Sequence, residues 1–91
     1  MISYDEEKRL ANLARHGVDF VGAEAIFASF TVCREDERDD AYGETRFQSI
    51  GLWNGVVVFV AHTARGEADH IISIQKAERH EERIFWNNYP G

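Results

Sequence analysis

Thr45-Arg46-Phe47-Gln48-Ser49-Ile50-Gly51-Leu52-Trp53-Asn54-Gly55-Val56-Val57-Val58-Phe59-Val60-Ala61-His62-Thr63 is the stretch on which the fold turns. Two runs rich in β-forming residues flank Asn54-Gly55, the dipeptide most typical of a two-residue hairpin turn. Both turn residues tolerate positive φ, which such a turn requires. Val56 to Val60 is nearly continuous in apolar side chains. That pattern predicts a central strand covered on both faces.

Working outward, Phe30–Arg34 reads as a strand and Glu35–Gly43 as a polar loop. Downstream, Ala64–Asp69 turns the chain through Arg65-Gly66, and His70–Gln75 forms a fourth strand. Lys76 to about Asn88 reads as a terminal helix that Pro90 ends. Near the N-terminus, Ser3 and Glu6 have capping-box spacing. A first helix is expected from Tyr4 or Asp5 to about His16, with Leu10, Leu13 and Ala14 as its apolar stripe and Gly17 as its left-handed stop. Asp19 then caps a second short helix, Phe20 to Ala28, with Phe20, Ala23 and Phe27 on one side. Ile2 and Tyr4 alternate with polar neighbours, which also admits a short strand before the first helix. The expected fold is therefore α+β, with two N-terminal helices, a four-stranded antiparallel sheet and a C-terminal helix. It forms a single domain over residues 1–91.

The chain has 91 residues, of which 44% are hydrophobic and 12% aromatic, enough for one modest core. No apolar run approaches the ~20 residues of a membrane span. The acidic opening lacks the apolar region of a secretory signal, so a cytoplasmic location is expected. Cys33 is the single cysteine, so no intramolecular disulfide can form. It is expected as a buried small apolar residue. The net charge of −6 argues against a chain-wide basic footprint for nucleic acid. The acid clusters at Asp5–Glu7 and across Glu35, Asp36, Glu37, Asp39 and Asp40, however. This leaves room for a local basic site and offers a surface to a basic partner.

On a terminal helix, Lys76, Arg79, His80, Arg83 and Asn87 fall within an arc of roughly 100°. That ridge is either a solvated face or a phosphate-facing edge. The four histidines, His16, His62, His70 and His80, lack zinc spacing and no cysteine pair accompanies them, so no metal site and no cofactor are expected. His62 ends the central strand and His70 begins the next. The turn between them allows His62, Arg65 and His70 to gather at one end of the sheet, or leaves two ordinary edge histidines. Trp53, Trp86, Tyr42 and Tyr89 are either stacking platforms or core and rim residues. Metal-free RNA cleavage needs a base, a cation at the phosphorane and an acid, which histidine, arginine and lysine supply. Spacing alone stops at a small α+β domain.

The order of short motifs adds more. Tyr4-Asp5-Glu6-Glu7-Lys8, Asn12-Leu13, Arg15-His16-Gly17-Val18-Asp19-Phe20 and Ala23 to Phe27 are followed by Asp39 to Arg46, with Tyr42-Gly43-Glu44, then Arg46-Phe47 and Ile50-Gly51. Thr63, Arg65, Gly66, Ile71-Ile72-Ser73, Lys76-Ala77 and Glu81 or Glu82 with Arg83 complete the series. In order and spacing this resembles the BrnT toxin family. The resemblance implies a RelE-like ribonuclease fold. It also implies a BrnA-like antitoxin with a ribbon-helix-helix DNA-binding part, so that DNA is met only through the complex that represses its own operon. The antitoxin is expected to mask part of the sheet and the basic ridge. Arg65 matches the family's turn arginine, and Lys76, Arg79 and Arg83 lie in its basic C-terminal region. One departure is Gln75, where the family commonly carries arginine.

Together these readings predict a metal-independent endoribonuclease. Arg65, Arg79 and Arg83 are its expected cations, His62, His70 or His80 its proton carrier, and Lys76, His80, Gln75 and Arg46 its RNA contacts. With Gln75 neutral, Arg65 is expected to carry a larger share of transition-state charge, so that Arg65→Ala abolishes toxicity and leaves the fold intact. The competing expectation, favoured by Gln75 and the acidic balance, is a catalytically weakened module that acts by antitoxin binding and operon regulation.

Overall fold

Asn54 and Gly55 take φ of 52° and 78°, so the turn has positive φ at both positions. It joins strands β3 (Arg46–Trp53) and β4 (Val56–Arg65), numbered in a computed structural model that describes residues 1–36 and 44–91. The remaining elements are β1 (Ile2–Ser3), α1 (Glu6–His16), α2 (Glu24–Phe27), β2 (Thr31–Asp36), β5 (Ala68–Lys76) and α3 (Arg79–Asn88). Most of the expected Glu35–Gly43 loop lies outside the described residues. So do the acidic positions Glu37, Asp39 and Asp40, the Tyr42-Gly43 motif and the stacking candidate Tyr42. Glu35 and Asp36 belong to β2.

The sheet has five strands in the order β1-β5-β4-β3-β2, not four, and it is mixed rather than wholly antiparallel. The first residues cause the difference. Ile2 pairs with Asp69 and Ser3 with His70 in parallel, and the Asp69 amide donates to the Met1 carbonyl at 3.0 Å. The short strand that the alternation of Ile2 and Tyr4 admits is therefore present, and its parallel partner lies too far along the chain for local pattern to show it. Ser3, drawn into this strand, bonds His70 and does not cap α1. Asp5 occupies the N-cap position.

The expected second helix is also corrected. Only Glu24–Phe27 is α-helical. Gly22 at φ 86° breaks the run from Phe20, and Asp19 Oδ1 accepts a bond from the Val21 amide in the turn that precedes it. At the other end, Glu78 is the N-cap of α3 and forms a capping box with Glu81. The helix therefore starts at Arg79, and Lys76 is the last residue of β5 rather than part of the helical ridge.

Strand β4 is central and covered on both faces. Its Val58 and Val60 pack with Phe20, Ala23, Ile26, Ile71 and Ile74 on one face. Its Val57 and Phe59 pack with Ile50, Ala77 and Phe85 under α3 on the other. Gly51 lets α2 approach β3: a Cβ there would stand 2.7 Å from Ile26 Cγ2. Cys33, expected in the core, is exposed: β2 is an edge strand that, among the described residues, pairs with β3 alone.

Helix α1 runs along the outer edge of β5 in an unusual orientation. Its buried residue is Asn12. The Asn12 amide nitrogen donates to the carbonyls of Ile74 (2.8 Å) and Val18 (3.0 Å). Its Oδ1 accepts from the Ile74 amide at 3.1 Å. Beyond the end of β1, this one side chain satisfies both outward backbone groups of Ile74. The expected stripe faces away: Leu10 and Leu13 are 52% and 39% exposed.

Candidate functional site

Alternation along the strands sorts the chemistry-bearing residues onto two faces. Pairing places Asp36, Arg46, Thr63 and His70 in one row on the α3 side. Arg34, Gln48, Ala61 and Ser73 form the next row, and Val32, Ile50, Phe59 and Gln75 the third. The core under α3 begins at Ile50 and Phe59 of the third row. The first two rows lie outside that core and form a polar tract, with Arg65 beyond them at the strand end.

Where this tract meets α3 there is a groove of about 130 Å³ whose lining includes Arg34, Gln48, Phe59, His80, Glu81 and Ile84. Arg34 Nε donates to Gln48 Oε1 at 2.8 Å, and Gln48 Nε2 donates to Asp36 Oδ2 at 2.9 Å. Gln48 is buried and held from both sides, so it fixes the plane of the exposed Arg34 guanidinium. His80 stands opposite, near the start of α3, with its side chain 60% exposed and Nδ1 3.7 Å from Glu78. The groove thus joins an oriented fork of N–H donors to a histidine open to solvent. Arg34 was missed in the sequence. Its place on β2 opposite Gln48, within a strand alternating about a known hairpin, was the signal that identifies it.

The other predicted residues divide. Gln75, Arg46, Arg65 and His70 share the face of the groove, but His70 is buried. Its Nδ1 lies 2.8 Å from Ser3 Oγ and its Nε2 3.8 Å from Asp5. Arg65 is half-exposed and ion-pairs with Glu44 at 3.5 Å. Its strand position is six residues from Phe59, roughly 20 Å along β4. Arg79 and Arg83 are exposed on the side of α3 away from buried Phe85. Lys76, paired with Val58, and His62 belong to the opposite face.

His62 and His70 are separated by a bulge. Regular pairing would set His70 opposite Ala64, on the face of His62. The register shift between Ala61 and His62 sets it opposite Thr63 instead. His62 is enclosed between Phe27 and Phe47. Ser49 Oγ and His62 Nε2 share a 2.7 Å hydrogen bond, and Nδ1 lies 3.5 Å from Asp69. The Ser-His-Asp order resembles a nucleophilic triad, but Ser49 is 1% exposed and His62 4%. Both groups are closed off from solvent, unlike the open nucleophile and base of such a triad.

Burial holds the His62 pKa below 6.5, against a smaller upward pull from Asp69. The folded chain therefore keeps His62 neutral, while the unfolded chain takes up a proton near 6.5. Stability from this group is present above that pH and is lost as pH falls through it. The urea midpoint is expected to drop as pH falls from 7 toward 5, and less steeply in His62→Gln. Equal slopes in the two proteins would refute the assignment.

Among the described residues there is no group of three or more His, Cys, Asp or Glu placed to hold a metal ion. No helix among them is long and apolar enough to cross a membrane. Comparisons with curated proteins and with solved structures return no match. A family model described as ribonuclease toxin, BrnT, of type II toxin-antitoxin system matches residues 4–81, which include α1, α2, β2 to β5, the polar tract and the start of α3. The chain belongs to the BrnT family of type II toxin–antitoxin ribonuclease toxins.

Proposed function

We propose that the chain is an endoribonuclease that binds RNA along the polar tract and cleaves it at the Arg34–His80 groove without a metal ion. The family implies an antitoxin partner. In this reading the antitoxin is BrnA-like, with a ribbon-helix-helix part through which alone the pair meets DNA. The observation that carries the reading is the oriented Arg34 fork facing a solvent-open His80. His80 takes the proton from a ribose 2′-hydroxyl. The 2′ oxygen attacks phosphorus and the bond to the 5′ oxygen breaks, leaving a 2′,3′-cyclic phosphate and a 5′-hydroxyl that takes its proton from solvent. Arg34 holds the phosphorane oxygens bidentately. Arg46 and Arg65 bind phosphates further along the tract, and Gln75 borders it. Arg79 and Arg83 add positive potential from the outer side of α3, and Lys76 serves flanking RNA rather than the reacting phosphate.

Two features weigh against His62 and His70 as proton carriers: their burial and their separation onto opposite faces. Gln75 favours the second reading, a catalytically weakened module, because the row beside the groove lacks a cation there. One assay separates the two. Purified chain is incubated with a labelled RNA, with and without EDTA, and the products are resolved by length. Cleavage that persists in EDTA is expected; no cleavage under either condition would favour the weakened module, and rescue by one divalent ion would overturn the metal-free mechanism. In the same assay Arg65→Ala is expected to raise KM about fivefold, the size of one lost phosphate contact, with kcat within about twofold. A selective loss of kcat would move Arg65 into the reacting centre.

A further inference from the structure

Helix α1 turns its apolar side away from the protein. At 100° per residue, Leu10, Ala14 and Glu7 lie opposite the buried Asn12, with Glu6 and Leu13 on the flank of the same arc. All five are exposed. The helix's cations lie elsewhere: Lys8, Arg15 and His16 occupy the other half of the wheel, and Arg9 bridges Glu6 and Asp19. The outward surface is therefore two leucines and an alanine rimmed by carboxylates. An amphipathic helix ordinarily sends such a stripe into the core. Here an asparagine takes the inner side, and the leucines keep the i,i+3 spacing that fits against a second helix.

We infer that this side of α1 docks the antitoxin of the pair through an amphipathic basic helix, whose apolar residues cover Leu10 and Leu13 and whose lysines or arginines face Glu6 and Glu7. The inference rests on the toxin–antitoxin reading, which supplies the partner, while charge selects the occupant. A second copy of this chain would bring another carboxylate-rimmed stripe with no cation on it, and two chains of net charge −6 repel. A partner helix with cations beside its leucines complements both halves of the surface. The surface lies at the outer edge of β5, remote from the groove between β2, β3 and α3. Docking there anchors the antitoxin and leaves its remaining length free to reach the polar tract.

The test is titration calorimetry of the full chain with the full-length antitoxin encoded beside it. Leu10→Glu/Leu13→Glu is expected to weaken binding by about 100-fold, as for a central apolar anchor. Glu7→Lys is expected to weaken it by about tenfold at low salt, with the difference shrinking in about 0.5 M salt. Both variants should keep the wild-type melting curve and the wild-type rate of RNA cleavage. Affinity within about threefold of wild type for both variants would overturn the inference. So would an antitoxin that fails to bind the wild-type chain, or a wild-type self-dimer in sedimentation that the leucine variant dissolves. Because cleavage is measured separately, an inactive wild-type chain that still binds through α1 would sink the endoribonuclease reading alone.

Discussion

Replacing His80 by alanine is expected to slow RNA cleavage by roughly 10²–10⁴-fold, the range supplied by one positioned proton-transfer group. The expectation follows from access. His80 is 60% exposed at the groove, whereas His62 and His70 are buried at 4% and 5%. Its partner Arg34 is oriented by Gln48, so Arg34→Ala should cost about 10²–10³ in rate, as for loss of one preorganised donor to a developing oxyanion. Arg34→Lys should recover only part, since lysine keeps the charge without the fork. Neither side chain belongs to the packed core, so melting temperatures should stay close to wild type. Single-turnover time courses on labelled RNA give the test. A folded His80→Ala chain that cleaves at the wild-type rate removes His80 from the mechanism.

Asn12→Ala is expected to destabilise the fold by roughly 3 kcal/mol. It deletes three hydrogen bonds and leaves the amide and carbonyl of Ile74 without partners, each buried orphan costing about 1–3 kcal/mol. For a chain of this size the midpoint should fall by roughly 15 °C. Hydrogen exchange should localise the loss, with the Ile74 amide becoming the most accelerated position in β5. The Arg34–His80 groove has no β5 residue in its lining, so cleavage by the folded fraction should persist at low temperature. A variant within about 0.5 kcal/mol of wild type would show that water replaces the amide and that α1 is not fastened by Asn12.

The parts legible in the sequence were those encoded within a few neighbouring residues. Asn54-Gly55 sets its own turn through local φ preferences, and the Val56 to Val60 run declares burial on both faces whatever surrounds it. The helix stop at Gly17 is equally local. The parts that were not legible depend on distant partners. Periodicity locates the stripe of α1 but not which side meets the sheet; that is decided by Ile74, sixty-two residues away from Asn12. The pairing of β1 depends on Asp69 and His70 at the other end of the chain. The turn at Arg65-Gly66 brings His62 and His70 toward one end of the sheet, but the face each occupies depends on a shift of register between Ala61 and His62 that the turn does not announce. Arg34 and His80 come together only because α3 folds back over β2 and β3, a contact that no spacing in the chain encodes.

The two borders of the sheet are unlike. On the β5 side, β1 takes up the ladder at Asp69 and His70, and Asn12 takes it up again at Ile74, so the strand edge presented there is the two residues of β1. On the β2 side, Thr31–Asp36 is bonded to β3 alone among the described residues. Among the described residues β2 is thus the one long strand with an unpaired edge. Two copies meeting strand to strand through β2 would each use that edge, and a two-fold pair of this kind is closed. Crowding or overexpression of this chain should therefore yield discrete, saturable association rather than fibrous growth, a limit set by an asparagine side chain and two residues of parallel strand.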